Sequence, residues 1–181
     1  GVHWQNKPPV NGREFVAEDV KMDFEHWLSA PRQATHRLQN IASITCPDKY
    51  TIVYKYTQPG IFRYYAWQDI YTVIYPREIV DKYGDLEDWR NLCGTGPYIL
   101  VDYVLDSSVT YKKNPDYWCH NELLPDDRLP YIDQVNILII PDRSTWLSAF
   151  RVGKVDMGVA LTMRERDDIE KTNPGITYGK Y

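Results

Sequence analysis

The stretch from Gly94 to Trp118 constrains the fold more than any other part of this 181-residue chain. Gly94-Thr95-Gly96-Pro97-Tyr98 is a turn sequence, and two alternating runs follow it before Asn114-Pro115-Asp116-Tyr117-Trp118. Ile99, Val101, Tyr103 and Leu105 alternate with Leu100, Asp102 and Val104. Asp106-Ser107-Ser108 is a turn cluster, and Val109-Thr110-Tyr111-Lys112 returns. A period of two puts successive side chains on opposite faces, so the pattern predicts one long antiparallel β-hairpin over 97–118. The glycines flanking Thr95 predict a sharp turn through backbone angles that a Cβ would forbid. Pro97, lacking an N–H, fits a strand start or an edge.

Elsewhere the elements are shorter. Val20, Phe24 and Trp27 recur at helical spacing with Leu28 beside them, while Glu18, Lys21 and Glu25 face away. This predicts a helix over 17–28, ended by Pro31. A second hairpin is expected from 41–46 and 51–57 across Pro47-Asp48-Lys49, with Ile52, Tyr54 and Tyr56 on one face. Short helices are expected over 61–68, 76–83 and 86–92, and a short buried strand over 72–75. Pro76 suits a first helical turn and Gly84 its close. After the long hairpin come a strand over 134–140 and a helix from Asp142 to Gly153 with Trp146, Leu147, Ala149 and Phe150 on one face. Thr162 with Glu165 three residues on is a capping box opening the last helix. Asn173-Pro174-Gly175 stops it, and 176–181 reads as a strand.

Charge and motif content narrow the chemistry. The net charge is −4, and Lys/Arg clusters do not exceed pairs such as Lys112-Lys113, so no nucleic-acid partner is expected. No apolar run nears the roughly 18 residues of a membrane helix, and no basic-then-apolar leader opens the sequence. His3, His26, His36 and His120 are scattered without the spacing of a zinc site, so no metal is expected. No nucleophile triad or dinucleotide fingerprint is present. Gly94 to Pro97 is no phosphate loop, because Pro97 removes an N–H and a strand follows. Asp126-Asp127 and Asp167-Asp168 read as solvated faces. No cofactor and no catalytic residue are expected.

The three cysteines are too few for a disulfide-built fold. With the turn centred near Asp106 and Ser107, tight antiparallel register brings Cys93 and Cys119 nearly opposite at the open end. They form either a disulfide in an oxidising compartment or, if a bulge shifts the register, two free thiols. Cys46 is expected to pair with neither.

Several of these segments, in this order, resemble the extracellular solute-binding proteins of family 5, the dipeptide-, oligopeptide- and nickel-binding components of ABC importers. The segments are Gly1-Val2-His3-Trp4, Gly12 to Val20, the 94–118 stretch, Pro130 to Val135, and Arg151 to Asp156. Val16 stands where that family usually has a helix-capping Thr, so the cap must come from elsewhere. The resemblance implies an α/β fold, part of lobe I of a periplasmic binding protein of type II, with a mixed sheet and flanking helices. It implies a small subdomain over 1–93 and part of the large subdomain over 94–181, ending at the crossover to lobe II.

The resemblance further implies an internal piece of a longer periplasmic or extracytoplasmic protein, free or lipid-anchored. Such a protein captures peptides or similar small solutes by lobe closure and delivers them to membrane permease subunits. A hydrolase-like enzyme is the alternative from another class, and no constellation of residues supports it. The stretch before Val73-Ile74-Tyr75-Pro76 would line the cleft, which selects Trp67, Gln68, Asp69 and Tyr71. Trp and Tyr offer flat contact area with a polar tip, and Gln68 and Asp69 could bond a peptide backbone or a cation. Trp67 and Tyr71, at i and i+4, equally fit a core face. Trp27 and Arg32 are a second candidate pair: Arg32 would meet a carboxylate, or simply face solvent. A piece of a lobe exposes strand edges and apolar faces, so self-association is expected.

Overall fold

The computed structural model describes residues 1–29, 41–59, 73–158 and 161–177. Helix α1 is Ala17–Ser29, β1 is Ile41–Asp48, β2 is Thr51–Tyr56 and α2 is Arg77–Tyr83. They are followed by β3 (Tyr98–Val104), β4 (Ser108–Lys113), β5 (Gln134–Leu138), α3 (Arg143–Arg151) and α4 (Met163–Thr172). The described strands form a two-stranded sheet, β1-β2, and a three-stranded sheet in the order β3-β4-β5.

The long hairpin forms where the alternation places it. Ser107 N–H donates to Val104 O at 3.0 Å across the turn, and Asn114 N–H to Pro97 O at 2.8 Å at the open end. Asp106 takes φ 56°, a left-handed angle that Asp tolerates because its short polar side chain can bond locally. The opening turn differs from expectation. Neither Gly94 nor Gly96 is among the positive-φ glycines, and a Cβ at Gly96 would meet nothing within 4 Å. Side chains strap that turn instead. Buried Gln5 donates through Nε2 to Tyr98 O at 2.8 Å and accepts at Oε1 from Gly94 N at 3.3 Å. Trp118 Nε1 donates to Thr95 O at 3.1 Å, and Asn114 Nδ2 to Gly96 O at 3.3 Å.

Of the two alternatives for Cys93 and Cys119, the structure has the free thiols, and Cys46 is a free thiol as well. Cys93 is buried with its Sγ 3.5 Å from Gln5 O, while Cys119 Sγ lies 3.4 Å from His120 O. The physical reason is that regular pairing stops at Pro97 and Asn114. Beyond it Asn114 folds the return strand into a turn, accepting from Tyr117 N through its carbonyl at 3.3 Å and from Asp116 N through Oδ1 at 3.1 Å. The ladder register therefore does not extend to residues 93 and 119.

Helix α1 packs its apolar stripe on the β1-β2 hairpin. Phe24 and Ile44 are the buried centre, with Val20, Ile41, Ile52 and Tyr54 around them. The burial of β2 alternates as its sequence does, with Ile52, Tyr54 and Tyr56 inward. The hairpin pairs Ile44 with Tyr54 and Thr45 with Val53, then shifts register before Asp48 meets Thr51. Helix α2 starts one residue later than expected: Pro76 is its N-cap, and Gly84 closes it at φ 89°, donating its N–H to Val80 O. A second cluster holds Trp4, Val10, Ile79 and Cys93, with Phe15, Ile74 and Leu86 packed against it.

Three local expectations give way. Residues 73–75 form no strand, and Val73 is 59% exposed. The helix expected over 86–92 shrinks to the 3-10 turn Trp89–Asn91, capped by the Asp88 side chain. Asp88 is extended at φ −79° and ψ 108°, and its side chain accepts from Arg90 N, so the helical turn begins only at Trp89. Residues 176–177 are not in a strand, and 178–181 lie outside the described residues, as does the 61–68 helix.

The chain divides into two compact units, Gly1–Tyr103 with Val109–Asn136, and Val104–Ser108 with Ile137–Tyr181. In the second, α3 begins at Asp142, whose Oδ1 accepts from Thr145 N at 2.7 Å. The Thr162–Glu165 capping box opens α4 as the sequence predicts. Glu165 also receives Arg143 at two points, 2.9 Å from Nε and 2.7 Å from Nη2, tying the two helix starts together. Trp146 is buried and stacks on Phe150 at 5.3 Å.

Candidate functional site

The start of α1 answers the missing Thr at position 16. Asp19 lies three residues past Val16, and its Oδ2 reaches back to Val16 N at 2.9 Å, half of a capping box supplied from the helix. Ala17 N–H donates to Lys49 O at 2.9 Å. Asp19 is 4% exposed, and its charge is met by the Arg13 guanidinium at 2.6 and 2.9 Å. Arg13 also grips Glu78 of α2, through Nε and through Nη2, the latter at 2.9 Å. Trp4 Nε1 adds a longer contact to Asp19 at 3.4 Å. One Arg between two carboxylates holds its own proton tightly and keeps Glu78 below the usual carboxylate range. This cluster fixes α1 to α2.

A cavity of about 290 Å3 lies beside those two helices. Met22, Asp23 and His26 of α1 and Tyr75, Val80 and Asp81 contribute to its lining. The His26 and Tyr75 rings meet edge to face at 6.1 Å. Asp23 is 2% exposed, and neither carboxyl oxygen receives a hydrogen bond of normal geometry or meets solvent. Burial pushes its pKa up to about 7, against a weaker downward pull from the nearby Tyr75 hydroxyl. The same burial, with the carboxyl opposite, pushes Tyr75 up to about 12. Among the described residues no three His, Cys, Asp or Glu side chains gather to hold a metal ion.

Trp67, Gln68, Asp69, Tyr71 and Arg32 lie outside the described residues. Trp27 is carried by the backbone of α1. The segment that leads from Tyr71 into α2 is described from Val73, and its Tyr75 faces Asp23 as above. Sequence reasoning missed Gln5, Asp19 and Asp23 as buried polar residues. Asp19 had a signal, an acid three residues past a helix start. Asp23 follows Val20 by three residues and so falls on the buried stripe. Nothing in the sequence marks Gln5.

Residues 1–179 match the family described as "Bacterial extracellular solute-binding proteins, family 5 Middle". A periplasmic oligopeptide-binding protein OppA of Haemophilus influenzae is 27% identical over 135 residues, 72% of this chain and 23% of that protein. A probable D,D-dipeptide-binding periplasmic protein DdpA of Escherichia coli is 24% identical over 170 residues, 91% of this chain and 31% of that protein. Among solved structures, the periplasmic binding protein DppA of Helicobacter pylori, in complex with the peptide STSA, superposes with a TM-score of 0.74. It is 24% identical, and the match covers 94% of this chain and 35% of that one. The oligopeptide-binding protein AppA of Bacillus subtilis, in complex with a nonapeptide, gives a TM-score of 0.73 at 20% identity, over 96% of this chain and 33% of that one. The chain thus spans about a third or less of these relatives, and it shares the periplasmic binding protein fold.

Proposed function

The chain belongs to the bacterial extracellular solute-binding proteins of family 5, and from that premise we propose that it forms part of lobe I of the substrate-binding component of an ABC importer. The observation that carries the reading is the family match from residue 1 to 179, with the fold of periplasmic binding proteins along it. The protein would capture a peptide or similar small solute by closing two lobes around it, and the permease would recognise the closed form. The family is one of solute-binding proteins, which leaves the hydrolase alternative without support. Its members act in the periplasm. Among the described residues no helix is long and apolar enough to cross a membrane. A full-length protein that is either free or lipid-anchored outside the cytoplasm belongs to the proposal, as do the subdomains over 1–93 and 94–181.

The same proposal places the solute against Trp67, Gln68, Asp69 and Tyr71, with Trp27 and Arg32 nearby. Large flat aromatic side chains accept varied peptide side chains at low entropic cost. The 181-residue piece alone would self-associate. Val104, Leu105, Ile137 and Leu138 are each 48% exposed or more, and uncovered apolar strands favour association. Calorimetry tests the reading. A full-length protein containing this chain is expected to bind short peptides, and Trp67→Ala to weaken binding several-fold. The isolated piece, lacking an opposite wall, is expected to bind weakly or not at all. Tight binding by the piece, or indifference to Trp67→Ala, would refute the placement of the site.

A further inference from the structure

Asn11-Gly12 is the one Asn-Gly pair in the sequence, and it fills the two central positions of a tight turn. Asn11 takes φ 52° and Gly12 φ 71°, both left-handed, and Arg13 N–H closes the turn on Val10 O at 3.3 Å. These are the signs of a type I′ turn. The chain on each side is fastened. Lys7 O accepts from Val10 N at 3.0 Å and from Asn11 N at 2.9 Å, and Val10 is buried. His3 Nδ1 donates to Gly12 O at 3.0 Å, and Trp4 N–H to Arg13 O at 3.0 Å. The peptide unit joining Asn11 to Gly12 is the exception. Among the described residues nothing donates to Asn11 O, and Gly12 N–H donates to nothing. That unit can swing without losing a hydrogen bond, and glycine accepts either sign of φ.

Swinging it by half a turn converts type I′ into type II′, which keeps the closing bond and carries Asn11 ψ to about −120°. There the Gly12 nitrogen turns towards Cγ of the Asn11 side chain, and no Cβ on residue 12 obstructs it. We propose that Asn11 is a site of spontaneous deamidation through a cyclic imide. The Gly12 nitrogen gives its proton to hydroxide and forms a bond to Asn11 Cγ. The Cγ–Nδ2 bond breaks, and that nitrogen takes a proton from water and leaves as ammonia. Water then opens the ring. Opening at Cγ leaves aspartate on the ordinary main chain. Opening at the main-chain carbonyl leaves isoaspartate, which routes the chain through Cβ and Cγ and lengthens it by one carbon. Either product gains a negative charge and loses the Nδ2 donor, which Asn11 holds on Pro9 O at 3.0 Å. The isoaspartyl product also disturbs the closing bond and with it Arg13, whose guanidinium ties Asp19 to Glu78. The reaction is internal to the chain and needs water but no partner.

The test incubates the full-length protein containing this chain in mildly alkaline buffer, both folded and in urea. Peptide mapping follows each Asn, and enzymatic methylation follows isoaspartate. Asn11 is expected to be the first Asn of this chain to change in the folded protein, giving aspartate and isoaspartate together at a rate that rises with pH. Folding is expected to slow the change less than about a hundredfold relative to the chain in urea, because the reactive geometry costs strain but no hydrogen bond. Asn11→Gln should hold that peptide unchanged. The isoaspartyl form, purified by chromatography, should unfold at lower urea than Asn11→Asp, which carries the same charge on an ordinary main chain. An Asn11 that outlasts another Asn of the folded chain would overturn the proposal, as would slowing beyond that hundredfold. Aspartate without isoaspartate would overturn the imide route. Equal urea midpoints for the isoaspartyl form and Asn11→Asp would overturn the link from this turn to Arg13.

Discussion

Asp23→Asn tests the buried carboxyl directly. Unfolded, Asp23 titrates at its ordinary 3.8, whereas burial in the fold raises its pKa to about 7. The folded state therefore holds a proton that the unfolded chain has released between those two values. The unfolded chain binds fewer protons there, so stability falls as pH rises. The stabilising contribution is complete below pH 3.8 and is lost as pH climbs through 7. Between about pH 5 and pH 8 the loss is roughly 2–3 kcal/mol for one such group. Asn is nearly isosteric and stays neutral, so it removes the dependence. Its own buried amide costs on the order of 1–3 kcal/mol at every pH, which shifts the curve without tilting it. Urea denaturation of both proteins across this range measures the difference. Subtracting the two profiles cancels every other titrating group, and the remaining slope is assigned to Asp23. With a urea m-value of about 2 kcal/mol/M, the gap in unfolding midpoints should change by roughly 1 M from pH 5 to pH 8. Parallel profiles would show that the carboxyl is solvated or paired in solution, and would refute the argument.

Arg13→Ala strips the buried Asp19 of its cation and should cost on the order of 3 kcal/mol, read as a lower denaturation midpoint; a loss under about 1 kcal/mol would mean that Asp19 finds water. At Gly158 an added Cβ would stand 2.6 Å from Cζ2 of the buried Trp146 ring. Gly158→Ala is therefore expected to cost about 1–3 kcal/mol and to shift tryptophan emission, whereas an unchanged midpoint would place the ring elsewhere. Thiol titration of the denatured, non-reduced chain should find all three cysteines, and a count of one that falls to zero in Cys46→Ser would restore the Cys93–Cys119 bond.

What was legible in the sequence is local. The alternation of Ile99 to Leu105, the Asp106 turn, the stripe of Val20 and Phe24, the Thr162–Glu165 box and the Gly84 stop each depend on residues a few positions apart. Short-range periodicity and turn chemistry therefore specify them. The ordered motifs also made the family recognisable, and with it the expected ligand segment at Trp67 to Tyr71. The 86–92 helix failed at short range because the Asp88 side chain caps a turn that starts at Trp89. The tertiary structure decided what depends on distant partners. Gln5 straps a turn some ninety residues away. Arg13 joins Asp19 to Glu78, and Asp23 loses its water where α1 meets Tyr75. Cys93 and Cys119 lie beyond the last ladder bond, between Asn114 and Pro97, and stay free thiols. Burial is a property of the whole packing, so a single side chain's sequence neighbours carry no record of which carboxyl will be paired and which will be left alone.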